Sequence, residues 1–140
     1  MIKLNEHVFV DTGAWVAIAL AGDRHHVEAG VLLSELLSKR ARLTTSVAVV
    51  VETFTHLQRK VSPDFAVAWR PTLTRMPKLE VLDCTAADLA SAWVWFERRE
   101  LHKLGIVDAT SFVLMKKHKL KRAFGFDVHF VTAGFQLIHS

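Results

Sequence analysis

Three consecutive apolar residues, Val8-Phe9-Val10, stop at Asp11-Thr12-Gly13, and the chain runs on into an Ala/Trp/Val/Ile-rich segment ending near Leu20. Such a run reads as a short strand buried on both faces that ends on a carboxylate and passes into a helix. A strand of that kind needs packing partners above and below it, which restricts the chain to a sheet covered by helices. In parallel α/β sheets, side chains at the carboxyl ends of strands leave the core and converge, so Asp11 stands where such folds place their chemistry. An Asp before a helix is also a common N-cap, and Asp11 alone does not choose between the two. What decides is whether other acids arrive at the same place.

Strand and helix signals alternate through the rest of the sequence. A helix fits His25–Lys39 and a strand fits Arg42–Thr45. Ser46 offers an N-cap for a helix of about four turns, with an apolar stripe at Val47, Val50, Phe54, Leu57 and Val61 and with Glu52 off that stripe. Ser62-Pro63 opens another helix, which Pro71 is expected to kink, or to end before Met76-Pro77. Leu79–Cys84 is a third strand. Thr85 with Asp88 forms an acidic capping box for a helix over Ala86–Arg99, on which Leu89, Trp93 and Phe96 share a face and Trp95 lies nearly opposite, as a dimer seam or a base-stacking platform. A loop over Leu101–Gly105 leads to a helix from Ile106 to about Lys119, with Asp108 in its first turn. Lys121–Phe126 is a strand ending at Asp127, His129-Phe130 a short connector, and Phe135–His139 a last strand. The expected fold is α/β: a single domain spanning 1–140, with a mostly parallel central sheet of about five strands and helices on both faces.

A chain of 140 residues buries enough surface to hold one core without disulfides. It is 51% hydrophobic, yet no apolar run approaches the ~18 residues of a membrane span, so no membrane association is expected. The start Met1–Glu6 lacks the features of a signal peptide, and a cytoplasmic location is expected. The lone Cys84 has no partner thiol and is expected to be a small buried hydrophobe at a strand end. The formal charge of +4 suits a polyanionic partner. Arg98, Arg99 and Lys103 form one cationic cluster and Lys116, Lys117, Lys119, Lys121 and Arg122 another. A cation-rich rim near acids suits a phosphodiester substrate, although basic residues at helix C-termini also complement the helix dipole.

Four acids occupy comparable positions: Asp11 and Asp127 at strand ends, Asp108 at a helix start and Glu52 on the side of a mostly apolar helix. An acid within VAVVVETF is costly to bury unless it is paired or bound to a cation. Clustered carboxylates raise one another's pKa unless a divalent ion holds them ionised. All-oxygen ligands suit Mg²⁺ or Mn²⁺, and such ions can promote attack of water on a phosphodiester.

VFVDTGAW, VVVETF, GIVDATSFVLMKKHKL and AFGFDVHF, in this order and spacing, resemble the PIN-domain nucleases, including the VapC-type toxins of toxin–antitoxin pairs. The resemblance runs from Val8 to about Phe130. It implies that Asp11, Glu52, Asp108 and Asp127 are the catalytic and metal-binding acids, and it places the family's small hydroxyl residue at Thr12. His129 is close enough to Asp127 to support it or touch substrate, or to cap the strand end. Arg98, Arg99, Lys103, Lys116 and Lys117 are the candidate RNA contacts. Implied with these are Mg²⁺- or Mn²⁺-dependent hydrolysis of RNA, a homodimer, and an antitoxin protein, for which the apolar surroundings of Trp15 or Trp95 offer a docking area. Val51 and Gly125 depart from the family, which often has a polar residue before the glutamate and a Thr or Ser before Phe-Asp.

Other chemistries fit less well. Asp-Thr-Gly also occurs in aspartic proteases, but their fold is nearly all β. A phosphate-transferring Asp would need a second acid at Gly13. No two histidines stand at i,i+4, which disfavours zinc hydrolysis, and no Gly-rich phosphate loop or G-x-S-x-G elbow is present. The alternatives left open are a housekeeping RNA-processing nuclease and a catalytically silent RNA- or protein-binding module.

Overall fold

A computed structural model describes residues 2–139. Strands β1 (His7–Val10), β2 (Arg42–Ser46), β3 (Leu79–Leu82), β4 (Arg122–Phe124) and β5 (Gln136–Leu137) form one sheet in the order β3-β2-β1-β4-β5, and every neighbouring pair is parallel. Helices α1 (Thr12–Ala19) and α2 (His26–Ser38) connect β1 to β2, and α3 (Val47–Lys60) and α4 (Pro63–Thr74) connect β2 to β3. The return to β4 runs through α5 (Ala86–Phe96), a 3₁₀ turn at Arg99–Leu101, and α6 (Ile106–Lys117); α7 (His129–Thr132) precedes β5. The first two crossovers step outward in one direction and the third returns across the sheet. With right-handed crossovers, α1 to α4 cover one face and α5 and α6 the other. The strand order therefore reverses between β1 and β4, where the carboxyl ends of an open parallel sheet leave a crevice.

The central strand carries the core, with Val8, Phe9 and Val10 buried. Around its carboxyl end a buried polar network fixes three elements at once: the Trp15 indole N–H donates to Thr45 Oγ1 at 3.2 Å, and the Thr45 hydroxyl donates to the Val10 carbonyl at 2.9 Å. Trp15 also meets Trp69 of α4 edge-on, with ring centroids 6.4 Å apart. The helix starts follow the cap signals. Ser46 accepts the Val49 N–H, Ser62 accepts the Phe65 N–H, and Thr85 and Asp88 cap each other's backbone in a capping box.

Several expectations are corrected. Trp15 has no exposed surface, so it offers nothing to a docking partner. Trp95 points inward and packs edge-on against Phe112 at 5.4 Å, with the Arg98 guanidinium and the Lys116 ammonium over its ring. Trp93 and Phe96 share a face as expected, but it is the outward one. On α3 the buried positions are Val49, Thr53 and Leu57, while Val47 and Val61 are exposed. The helix is thus rotated from the most apolar stripe toward the one that meets the sheet, and Thr53 satisfies itself inside by donating to the Val49 carbonyl. The helix α4 ends at Thr74, before Met76-Pro77 as expected, with Pro71 inside it. Cys84 follows β3 and is half-buried, and the expected connector at His129-Phe130 is the helical turn α7.

Replacing Thr45 by Val keeps the side-chain shape but strands the Trp15 N–H and the Val10 carbonyl without partners. Thr45→Val is expected to destabilise the fold by about 1–3 kcal/mol, read as a lower urea midpoint with an unchanged m-value. An unchanged midpoint would mean that this network does not hold the strand end.

Candidate functional site

Asp11 leaves β1 where the strand order reverses. Its backbone N–H donates to the Phe124 carbonyl of β4 at 2.9 Å, which ties it to the neighbouring strand end. The residue occupies the N-cap position of α1 with extended backbone, yet its side chain makes no capping hydrogen bond. The simple cap reading therefore fails. Asp11 is 4% exposed, and its Oδ1, like the neighbouring Thr12 Oγ1, is buried without a hydrogen-bond partner. Gly125, just after β4, presses against it: a Cβ there would lie 3.2 Å from the Asp11 Cβ, so the smallest residue lets the two strand exits meet this closely.

Three other elements bring acids to the same crevice. Glu52 comes from the flank of α3, Asp108 from the first turn of α6, and Asp127 from the segment after β4; with Asp11 they line one cavity of about 700 Å³. The positive end of the α6 dipole favours a carboxylate at Asp108, but its neighbours outweigh that. Burial raises the Asp108 pKa most, and the charges of Asp11, Asp127 and Glu52 raise it further. Burial raises Asp11 too, with Glu52 adding to it and the backbone N–H of Thr12 opposing. Both carboxyls are thus pushed toward their neutral forms, Asp11 up to about 6 and Asp108 up to about 9.

Asp127 is positioned by its own loop. Its Oδ1 accepts the His129 N–H at 2.8 Å and lies 2.9 Å from the His129 Nδ1. The other ring nitrogen of His129 donates to the His102 carbonyl at 2.8 Å. His129 thus holds Asp127 through its backbone N–H, with its ring alongside.

The donors suit a hard divalent cation in kind: four carboxylates, two of them discouraged from ionising, and two orphaned oxygens. Among the described residues, no three His, Cys, Asp or Glu side chains are drawn together into a ready-made ligand cluster.

The candidate RNA-binding cations lie elsewhere. None of Arg98, Arg99, Lys103, Lys116 and Lys117 lines the acidic cavity. Arg98 pairs with Glu100, Lys117 pairs with Asp88 at 3.2 Å, and Lys116 sits over Trp95. The side of the cavity facing the acids is built by residues that the sequence reading passed over, Arg24, His25, His56 and Phe126. The His25 ring stacks on Phe126 with centroids 4.1 Å apart and planes within 2°. The signal for His56 was present, since it follows Glu52 by one helical turn at i+4. No comparable signal marks Arg24 and His25, which reach the site only because the α1–α2 connection folds back over the strand end. No helix among the described residues is long and apolar enough to cross a membrane.

Comparison with known proteins gives a consistent result. The profile of the PIN domain matches residues 8–136. The 23S rRNA-specific endonuclease VapC20 of Mycobacterium tuberculosis is 37% identical over 129 residues, which cover 91% of this chain and 95% of that protein. The crystal structure of M. tuberculosis VapC20, described as a Sarcin-Ricin loop cleaving toxin, superposes with a TM-score of 0.81 at 33% identity, covering 95% of this chain and 99% of the other. VapBC2 from Rickettsia felis, bound to a DNA fragment from its promoter, matches with a TM-score of 0.68 at 16% identity, covering 94% and 97%. DNA-bound VapBC from Salmonella typhimurium gives 0.62 at 15%, covering 99% and 98%. The last two likenesses bear on the fold alone.

The raised pKa values of Asp11 and Asp108 make the stability of the ion-free protein depend on pH. Both groups have folded pKa values above their unfolded ones, so between the ordinary carboxylate range and the raised values the native state binds more protons than the unfolded chain. Stability is then lost as pH rises through that window. With chelator present, the melting temperature is expected to fall between pH 5.5 and 8.5. Asp108→Asn should flatten that fall and raise the value at pH 8.5 by several degrees, since each pKa unit of repulsion relieved is about 1.4 kcal/mol. Equal pH slopes in the two proteins would show that these pKa values are not raised.

Proposed function

The chain belongs to the PIN-domain family, and on that premise we propose that it is a Mg²⁺- or Mn²⁺-dependent endoribonuclease and the toxin of a type II toxin–antitoxin pair, acting in the cytoplasm. One observation carries the proposal. Four carboxylates from four separate elements line a single cavity at the strand-order reversal, although two of them resist ionisation there. Nothing in the packing of the fold requires that arrangement, whereas a divalent cation would turn its repulsion into binding.

In this reading Asp11, Glu52, Asp108 and Asp127 hold the ion, with Thr12 Oγ1 beside them. When bound, the ion supplies Lewis acidity toward a phosphodiester oxygen and toward the attacking water. The chain's own groups do the rest. Asp108 releases its proton to solvent as the ion binds, leaving Asp11 and Asp108 ionised toward it. His129 keeps Asp127 turned toward the cavity by holding it between its ring and its backbone N–H. Val16 and Phe126 supply apolar surface to the wall of the cavity.

The substrate proposed is ribosomal RNA, because VapC20, which the chain matches over most of its length, is named as a 23S rRNA-specific endonuclease. Arg98, Arg99, Lys103, Lys116 and Lys117 lie outside the cavity, and their place in this proposal is contact with RNA away from the cut. The whole chain, 1–140, acts as one domain. Self-association over the outward Trp93 and Phe96 of α5, and silencing by an antitoxin protein, complete the proposal.

Purified protein incubated with 23S rRNA, or with a sarcin-ricin stem-loop, is expected to cut it when Mn²⁺ or Mg²⁺ is added and not when chelator is present. Asp11→Asn should lower the rate on the order of 10²-fold or more and abolish the rise in melting temperature that the ion gives the wild type. Expression of the wild type should arrest bacterial growth, and Asp11→Asn at matched level should not. Cleavage without arrest would favour a housekeeping nuclease, equal arrest by both proteins would place the harm outside the site, and intact RNA under all conditions would reduce the chain to a binding module.

A further inference from the structure

We propose that the RNA strand leaves the acidic cavity across His56 and runs along a basic track made by Arg24, Arg59 and Lys60. This inference rests on the nuclease reading above and deepens it by naming where the polyanion lies.

A cavity lined by five carboxylates, Asp23 as well as Asp11, Glu52, Asp108 and Asp127, repels a phosphodiester unless cations stand beside it. Of the residues lining that cavity, Arg24 is the one Arg or Lys. Two further hollows open from the same place. One, of about 780 Å³, follows α3 and is lined by Glu52, Thr55, His56, Arg59 and Lys60. The other, of about 640 Å³, is walled by Arg24, His56, Lys60 and Phe65. His56 borders all three, so the hollows adjoin one another around it, with the acids on one side and the cations on the other.

The sequence of α3 produces this arrangement directly. Glu52, His56 and the pair Arg59-Lys60 recur at i, i+4 and i+7/i+8, which places them along one stripe of the helix. The stripe changes from negative to positive over roughly 10 Å of helix axis. Arg59 and Lys60 in the last turn also suit the helix dipole, but the dipole does not explain why Arg24 arrives beside them from a different connection. All three cations are exposed. Among the described residues no carboxylate pairs with Arg24, Arg59 or Lys60, in contrast to Arg98 and Lys117. Arg24 instead donates through Nε to the His25 ring at 3.1 Å, and His25 lies flat on Phe126 beside Asp127. That gives the cavity a planar wall next to the acids, of the kind on which an unpaired base stacks.

The test uses full-length protein carrying Asp11→Asn, so that RNA is bound but not cut, and a fluorescent single-stranded RNA of six nucleotides. The salt dependence of binding is measured by anisotropy. Each phosphate contact on a single strand contributes about 0.7 to the slope of log K against log salt, so Arg59→Gln with Lys60→Gln should lower that slope by about 1.4 and weaken binding about tenfold or more at 0.1 M salt. Lys3→Gln with Lys39→Gln, at the opposite end of the sheet, should leave both unchanged. In the cleaving protein, Arg24→Gln and His56→Gln should raise KM for the same RNA without altering the rise in melting temperature given by Mn²⁺.

The proposal is overturned if the Arg59/Lys60 variant keeps the wild-type slope, or if Lys116→Gln with Lys117→Gln removes it instead. Equal affinity and salt slope for hexaglutamate would assign the track to an acidic protein segment and also overturn it. Wild-type protein that binds RNA through this track but never cuts it with Mn²⁺ or Mg²⁺ would sink the nuclease reading alone. Normal cleavage with binding indifferent to all four track residues would sink the track alone.

Discussion

The constraint on which the rest depends is the mutual repulsion of carboxylates held where β1 and β4 part. Burial and the neighbouring charges both push Asp11 and Asp108 toward their neutral forms. A site that must take up a cation has to be poorly satisfied beforehand, because groups already paired in the protein gain little from an ion. The orphaned Asp11 Oδ1 and Thr12 Oγ1 are the structural trace of that incomplete satisfaction. Asp88, buried to a similar degree, makes the opposite case. It accepts the Thr85 N–H and pairs with Lys117, and the Thr85 N–H leads the causes that hold its pKa below the ordinary range.

Keeping such groups in place requires a scaffold that does not relax around them. The Val10–Thr45–Trp15 network joins β1, β2 and α1 one residue before Asp11, and Ser46 caps the helix that carries Glu52 directly from the end of β2. Each acid is thus separated from a fixed backbone point by no more than a few residues. The close approach of Gly125 belongs to the same design. A Thr or Ser, which many family members carry there, would place its Cβ against Asp11, so glycine at this position exchanges a potential hydroxyl for proximity of the two strand ends.

Much of this was legible in the sequence because it depends on local signals. Val8-Phe9-Val10 before Asp11, the Ser46, Ser62 and Thr85 caps, and the alternation of strand and helix lead to the five-stranded parallel sheet without tertiary information. Boundaries were less legible: Asp83 and Cys84 extend an apolar alternation past the point where β3 ends, and the predicted helix over Ala86–Arg99 breaks into α5 and a 3₁₀ turn. The rotation of α3 was misjudged for a specific reason. A hydrophobic stripe ranks Val47 and Val61 above Thr53, but Thr53 can be buried at little cost because its hydroxyl bonds to the Val49 carbonyl one turn back. Trp95 was assigned to an interface on similar grounds, as the aromatic left over from the main face; packing shows that the less uniform face of α5 is the one that meets α6. Asp11, Asp108 and Asp127 stand at or near strand and helix ends that local signals mark, while Glu52, inside α3, stands out as the acid in an apolar helix. The cationic side could not, because residue counts locate charge in sequence and not in space.

That last failure bears on how the site manages two incompatible electrostatic demands. The same cavity has to hold enough negative charge to bind a divalent ion and yet accept a polyanion. Spreading cations evenly around the acids would solve the second demand by defeating the first, since Lys or Arg ammonium and guanidinium groups would neutralise the carboxylates in the ion's place. Separation by about two turns of one helix meets both. Glu52 stays out of direct salt-bridge range of Arg59 and Lys60, while phosphates beyond the cut would sit over the positive end of the same stripe. At that distance the interaction is long-range and partly screened by salt, so it concentrates the polyanion without fixing its sequence. Discrimination between RNAs then has to come from elsewhere on the surface, and the flat His25–Phe126 wall beside the acids is the part of the cavity whose chemistry addresses a base and not a phosphate.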